Sequence, residues 1–440
     1  MAEKTFSGEQ ILSNLKIEKL NDMQLASIEA NKNHNDIILL SSTGSGKTIA
    51  FLLPVLQLLH PDISATRALI IVPSRELALQ IEKVFKTMGT GFKVTCCYGG
   101  HKREIEENNL LQAPALIIGT PGRVADHIRR GSIQTENIET LVLDEFDKSV
   151  ELGFQEEMAF IIGSLKGLKK RMLTSATEAT EIPEFIGLTE PVRLNFLSEE
   201  NNTALAVQIV KSGDKNKSDT LFKLICFLGN RSAIIFCNHR ETVEQTGKFL
   251  SDKGIVNVFY HGALEQPERE VALSKFRNGT SNILVTTDLA SRGLDIPNIR
   301  YIIHYHLPPT EDIFTHRNGR TARMEATGTA ILILSPDETL PPYISLPVEE
   351  IQLPETATLP EKPKWSTLFI AAGKKDKVNK VDIAGFLINK GQLKKEDVGL
   401  IEVKDFFSFA GVRKVKMGIV LQKIKNEKIK NKKVKIDIAK

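Results

Sequence analysis

Two doubly wound α/β domains in tandem, followed by a small α+β module, are what this sequence predicts. Short, nearly continuous apolar runs alternate with helical patterns through its first two thirds, as strands buried on both faces of parallel sheets do. The runs fall into two series, parted by the polar stretch Leu197-Ser-Glu-Glu-Asn-Asn-Thr203. The last 75 residues then change both charge and pattern. At 440 residues the chain is also too long for one ordinary core.

The first series comprises Asp36-Ile-Ile-Leu-Leu40, Ala68-Leu-Ile-Ile-Val-Pro73, Ala115-Leu-Ile-Ile-Gly119 and Thr140-Leu-Val-Leu-Asp144, within a domain spanning 1–198. The second comprises Ala233-Ile-Ile-Phe-Cys237, Val256-Asn-Val-Phe-Tyr260, Asn282-Ile-Leu-Val-Thr286, Tyr301-Ile-Ile-His304 and Thr329-Ala-Ile-Leu-Ile-Leu334, within 205–340. A linker rich in Pro, Glu and Thr occupies 341–365. In 366–440 the expected order is βαββαβ: a strand at 368–372, a helix at 380–390, strands at 399–403 and 405–412, a helix at 413–425 and a strand at 433–438.

Composition narrows the class. Hydrophobic residues make up 41% and charged residues 25%, values of a soluble globular protein. The start, MAEKTFSGEQ, shows no basic segment leading into an apolar run, and no apolar stretch reaches membrane-spanning length. Four cysteines without CxxC spacing suit a reduced, cytoplasmic protein, with the adjacent Cys96 and Cys97 read as strand residues. Charge is divided unevenly. Residues 366–440 carry 19 Lys+Arg against 8 Asp+Glu, whereas 1–365 carry 39 against 46. A basic appendage on a mildly acidic body points to a polyanionic partner.

Ser41-Ser-Thr-Gly-Ser-Gly-Lys-Thr48 follows the first buried run and precedes a helical pattern. Ser41, Ser42, Thr43, Gly44, Ser45 and Gly46 are small enough for backbone N–H groups to turn inward around phosphate oxygens. Lys47 would set a charge on the β- and γ-phosphates, and the Thr48 hydroxyl would ligate Mg²⁺. The usual first glycine is replaced by Ser41. In Leu141-Val-Leu-Asp-Glu-Phe-Asp147 an apolar strand runs into three carboxylates. Asp144 would hold Mg²⁺, Glu145 would orient and deprotonate the attacking water, and Asp147 would pair with a group from elsewhere. Phe146 is expected to face away from the Asp144 and Asp147 side of the chain and to pack into neighbouring structure. Arg320 and Arg323, three apart, share one helix face and would act as arginine fingers on a γ-phosphate.

Together and in order, these segments resemble the DEAD-box RNA helicases of superfamily 2. The likeness is carried by SSTGSGKT (41–48), PSRELA (73–78), Gly99-Gly100, TPGR (120–123), DEFD (144–147), SAT (175–177), IIFCN (234–238), HGALEQPER (261–269), TTDLASRGLDIP (286–297) and HRNGRTAR (316–323). It implies two RecA-like domains, ATP and Mg²⁺ as cofactors and RNA as partner; nothing in the sequence suggests a partner chain, so a monomer is expected. It further implies adenine reading by Gln24 with Phe6, although the Pro-Thr expected ahead of that glutamine is absent from Leu20-Asn-Asp-Met-Gln24, and ribose contact by Asp295. Asp147, Ser175, Thr177, His316 and Arg317 would couple nucleotide state to RNA. RNA contacts would come from Arg75, Gly100, Thr120 and Arg123, and from Gln266, Arg269, Thr286 and Arg292. Phe146 stands where the family has alanine.

The C-terminal 75 residues resemble the RRM-like RNA-binding domain of the DbpA branch, which implies targeting to large-subunit ribosomal RNA and work on ribosome assembly intermediates. Lys374, Lys375 and Lys377 would meet phosphates. Phe407 and Phe409 fall on one strand face, where they would either stack bases or belong to the core. Two rivals remain at this level: a DNA translocase, which SAT and DEFD disfavour, and an idle RNA clamp with Phe146 as its lesion.

Overall fold

The computed structural model describes residues 8–42, 44–60, 63–178, 182–197, 205–288, 299–319, 328–344 and 347–440. The first domain is a seven-stranded sheet of β1 (Asp36–Ser41), β2 (Ala68–Ile71), β3 (Val94–Cys97), β4 (Leu116–Gly119), β5 (Thr140–Leu143), β6 (Lys170–Ser175) and β7 (Val192–Phe196). Their spatial order is β3-β4-β2-β5-β6-β1-β7, and every pair is parallel. β1, β2, β4 and β5 are buried along their whole length, as Ile/Leu/Val runs covered by helices on both faces must be. Phe51, Ile81 and Phe85 fill one face of the sheet; Val124, Ile138 and Ile161 fill the other. With all strands parallel, their carboxyl ends gather along one edge, where open α/β sheets bind ligands.

The second sheet repeats the plan with β8 (Leu205–Lys211), β9 (Ala233–Phe236), β10 (Asn257–Tyr260), β11 (Ile283–Thr286), β12 (Tyr301–His304), β13 (Gly328–Leu334) and β14 (Val348–Glu350). Its order is β10-β11-β9-β12-β13-β8-β14, again parallel throughout. Part of the stretch read as linker is therefore sheet. β14 lines the outer edge of β8, the Ile351 N–H donates to the Ile209 carbonyl at 2.8 Å, and Ile351 and Leu353 pack on the core.

The C-terminal domain has the expected βαββαβ order. β15 (Trp365–Ile370), β16 (Val398–Val403), β17 (Ser408–Arg413) and β18 (Ile436–Ile438) form an antiparallel sheet in the order β16-β17-β15-β18. Helices Lys380–Asn389 and Met417–Ile424 cover one face, onto which Leu368, Ile370, Ala410 and Val412 point. Phe409 lies on the other face, yet it is fully buried. It stands 5.4 Å from Phe407 and 6.0 Å from Phe369, ring centre to ring centre. Among the described residues no helix is long and apolar enough to cross a membrane.

Candidate active site

The loop after β1 is shaped by two glycines in the left-handed region, Gly44 at φ +88° and Gly46 at φ +95°. Helix Lys47–Gln57 starts directly behind it, so its free N–H groups face the loop. The Lys47 ammonium is held at the carbonyls of Ser41 and, at 2.9 Å, Ser42, and the Ser41 and Ser45 hydroxyls are hydrogen-bonded to each other. Thr48 is half-exposed in the first helical turn. Thr43 and Phe6 lie outside the described residues.

Helix Asp22–Asn33 is bolted to this loop. Its capping box joins Asn21 and Gln24 reciprocally, at 2.9 and 3.0 Å. The Asn21 amide then donates to the Ser45 carbonyl at 3.0 Å, and the Gln24 amide to the Gly46 carbonyl at 3.3 Å. A Cβ on Gly46 would stand 2.6 Å from Gln24 Nε2, so glycine permits the close approach. Gln24 thus braces the phosphate loop. Asn21 was not singled out from the sequence, although the Asn-x-x-Gln spacing of a capping box was there to be read.

β5 and β1 are separated by β6 alone, which brings their ends together. Asp144 is buried, with its carboxylate accepting from the Thr174 hydroxyl of β6. Burial pushes its carboxyl up, against the Thr174 hydrogen bond and the Lys47 charge, which favour the ionised form. Glu145 adopts a left-handed backbone, φ +48° and ψ +49°. For a residue with a side chain this costs roughly 1–3 kcal/mol and marks a constrained site. The strand ends at Leu143 and a helix runs from Phe146 to Glu151, so helical geometry, not alternation, turns Phe146 inward. Phe146 is buried among Val124, Ile161 and Leu173. Replacing it by the family's alanine, Phe146→Ala, is expected to lower the first domain's unfolding free energy by about 3–5 kcal/mol in urea titrations. A loss below 1 kcal/mol would mean that the site closes over the cavity.

Asp147 accepts from the Thr177 hydroxyl at 3.3 Å, and the Ser175 hydroxyl donates to the Thr177 carbonyl at 2.8 Å. The buried Lys148 ammonium lies 3.3 Å from the same aspartate. One chain of contacts therefore runs from the SAT segment to the strand-end carboxylates.

Along the same edge, the ends of β2, β3 and β4 carry Arg75, Gly100 and Thr120. Arg75 opens helix Arg75–Thr87 and lies over the Tyr98 ring at 4.7 Å. Gly100 is left-handed at φ +91°, and Thr120 occupies the N-cap position of helix Pro121–Arg129. Arg123 bonds Glu106 at 2.9 Å and the His101 carbonyl at 3.3 Å. Glu106, 1% exposed, also accepts from the Tyr98 N–H at 2.8 Å and contacts His101 at 3.0 Å and His127 at 2.7 Å. Sequence reading missed this hub because its partners are dispersed along the chain. Cys97, Glu106 and His127 offer donors within 4.8 Å of one another. Arg123 and both imidazoles already engage the carboxylate, and burial pushes the Cys97 thiol up, so the cluster is a hydrogen-bond hub.

Burial alone would raise the Glu106 carboxyl, but His101, His127, the Tyr98 N–H and Arg123 outweigh it and hold it at about 2, against 4.5 for a free glutamate. A depressed carboxylate stabilises the fold above its free value and loses that contribution as pH falls through the folded one. Unfolding free energy is expected to drop by about 3 kcal/mol between pH 5 and 2 on this account. Urea titrations across that range should flatten in Glu106→Gln; an unchanged slope would sink the assignment.

In the second domain Arg317, 1% exposed, is gripped by Asp288 at 2.6 and 2.8 Å, by the His306 carbonyl at 2.7 Å and by Asn238 at 2.9 Å. His316 is half-buried on the same helix, Glu311–Asn318. Gln266 and Arg269 sit in the first turn of helix Gln266–Arg277, where Arg269 caps the Leu264 carbonyl at 3.1 Å. Thr286 ends β11, fully buried. Arg292, Asp295, Arg320 and Arg323 lie outside the described residues.

The DEAD/DEAH box helicase profile matches residues 21–185, that of the helicase conserved C-terminal domain residues 216–325, and that of the DbpA RNA binding domain residues 367–438. The ATP-dependent RNA helicase DbpA of Bacillus subtilis (strain 168) is 30% identical over 95% of this chain and 94% of its own. The chain belongs to the DEAD-box family of ATP-dependent RNA helicases. The helicase is likewise 30% identical to the DbpA of Escherichia coli (strain K12), over 93% and 94% of the two chains. Among solved structures it is similar to S. cerevisiae Dbp5 bound to RNA and ADP BeF3, with a TM-score of 0.68 and 25% identity over 79% of this chain and 94% of that one. It is also similar to Mss116 bound to ssRNA and UDP-BeF, with a TM-score of 0.70 and 25% identity over 80% and 79%. Both sheet domains of the helicase are thus of the RecA-like kind, and its third domain is the RNA-binding module of DbpA proteins.

Proposed function

We propose that this helicase hydrolyses ATP between the 41–48 loop and the Asp144-Glu145 strand end, and that its C-terminal domain directs it to large-subunit ribosomal RNA during ribosome assembly. What carries the first part is the meeting of a glycine-shaped phosphate cradle and strand-end carboxylates across the single strand β6. The residues fit a magnesium nucleotide: the helix N-terminus and Lys47 suit phosphate, and Asp144 is a buried carboxylate influenced by the Lys47 charge. The Thr48 hydroxyl and Asp144 would hold Mg²⁺, which when bound neutralises phosphate charge. Glu145 would take the proton of the attacking water. Arg75, Gly100, Thr120 and Arg123 present cations, a hydroxyl and open backbone, which suit RNA phosphates and 2′-hydroxyls.

The targeting half rests on the match of residues 367–438 to the DbpA RNA binding domain and on the basic excess of that segment. ATP hydrolysis measured without RNA, with generic RNA and with large-subunit ribosomal RNA tests it, alongside a chain ending at Glu361. Strong stimulation by ribosomal RNA alone, lost in the shortened chain, is expected. Equal stimulation by every RNA would overturn the targeting. No hydrolysis under any condition would overturn the catalytic assignment.

A further inference from the structure

A four-stranded sheet with helices on one face offers its other face to a ligand. Here alternation puts Thr367 and Phe369 of β15, and Phe409 and Gly411 of β17, on that outer face, in register across the strands. Thr367 and Phe409 nevertheless show no exposure. Helix Gln266–Arg277 of the second helicase domain covers them, presenting Glu270, Ser274, Arg277 and the capping Asn278, positions that fall on one helical side. Thr367 Oγ1 accepts from the Asn278 amide at 3.3 Å and lies 2.8 Å from the Thr280 hydroxyl. Glu402 meets Arg277 and Ser274, each at 3.4 Å, and Lys404 lies 3.8 Å from Glu270. Gly411 makes room for the helix end, since a Cβ there would stand 2.9 Å from Asn278 Oδ1. A nucleobase cannot reach Phe409 while this contact holds.

Positive charge collects elsewhere on the same domain. The turn bearing Lys374, Lys375 and Lys377 lies beside the 428–433 hairpin, because Lys430 donates to the Lys377 carbonyl and Lys432 pairs with Asp376. The hairpin adds Lys428, Lys430, Lys432 and Lys433, and all seven ammonium groups are on exposed residues. Three carboxylates answer them: Asp376 to Lys432, Asp382 to Lys430 at 2.9 Å and Asp405 to Lys374 at 3.8 Å. An excess of four charges remains on one ridge, a footprint for a phosphate backbone.

We propose that the outer sheet face of the C-terminal domain is an intramolecular docking face, and that structured RNA meets this domain through its phosphates on the ridge formed by 374–377 and 428–433. The inference rests on the reading that this domain binds RNA. Binding of a fluorescein-labelled RNA hairpin, followed by anisotropy, tests it on the full chain. Asn278→Cys combined with Gly411→Cys, oxidised to a disulfide, locks the docked face. The locked protein is expected to bind within twofold of its reduced form. Lys428→Glu combined with Lys433→Glu is expected to weaken binding about tenfold or more and to lower the salt dependence, the slope of log K on log salt, by about 2. Weaker binding on oxidation that reductant restores would overturn the inference, as would full affinity in the ridge variant. If a chain ending at Glu361 binds the hairpin as tightly as the full chain, the underlying reading fails and the inference with it. If that truncation weakens binding and ridge reversal does not, the inference alone fails.

Discussion

Glu145→Gln is expected to slow RNA-stimulated ATP hydrolysis by about 10²–10⁴-fold, the usual contribution of a positioned general base. Nucleotide affinity should stay within about threefold, because phosphate contacts come from the loop, Lys47 and the helix N-terminus. The left-handed backbone at Glu145 motivates this prediction. Its N–H faces Thr174 Oγ1 at 3.4 Å, while the next residue starts a helix, so the side chain leaves the chain at a sharp corner. Strain of this kind persists when the surroundings fix a side chain for a task. Single-turnover hydrolysis with a fluorescent nucleotide titration separates the two quantities. A loss below tenfold, or an equal loss of affinity, would remove Glu145 from the role of base.

Arg317→Ala is expected to cost the second domain about 3–5 kcal/mol, because it removes a buried guanidinium that serves Asp288, Asn238 and the His306 carbonyl at once. Arg317→Lys should recover little. The aspartate is held bidentately and the same guanidinium also serves Asn238 and a carbonyl, a fork that an ammonium cannot reproduce. Hydrogen exchange of β9 and β12 amides reads the loss locally. If protection is unchanged while RNA stimulation disappears, Arg317 is a coupling residue without a structural role, contrary to its burial.

Fully buried runs such as β1, β5, β9 and β12 were legible because short stretches centred on two to four consecutive Ile, Leu or Val residues suit strands covered on both faces. β6 was not, since it opens on Lys170 and Arg171, and β7 alternates between half-buried and exposed residues. β14 has only three residues in a polar, proline-containing stretch. The same division holds at the site. The phosphate loop and carboxylates declare themselves in contiguous residues. Glu106 and Arg317 act through partners up to 79 residues away, a proximity that only the fold creates. Phe146 is buried because a helix begins at it; continued as a strand, it would have shared the face of Asp144.

β14 also decides where this chain can be cut. Trimming at residue 340 would strip the strand from β8 and leave an open row of peptide groups, the template on which sheets of separate molecules join. Such a product would be prone to aggregate whatever the quality of its core. A protease acting on the intact molecule should instead spare Val348–Leu353, which is paired and packed, and find its first sites in residues 354–358, which belong to no helix or strand.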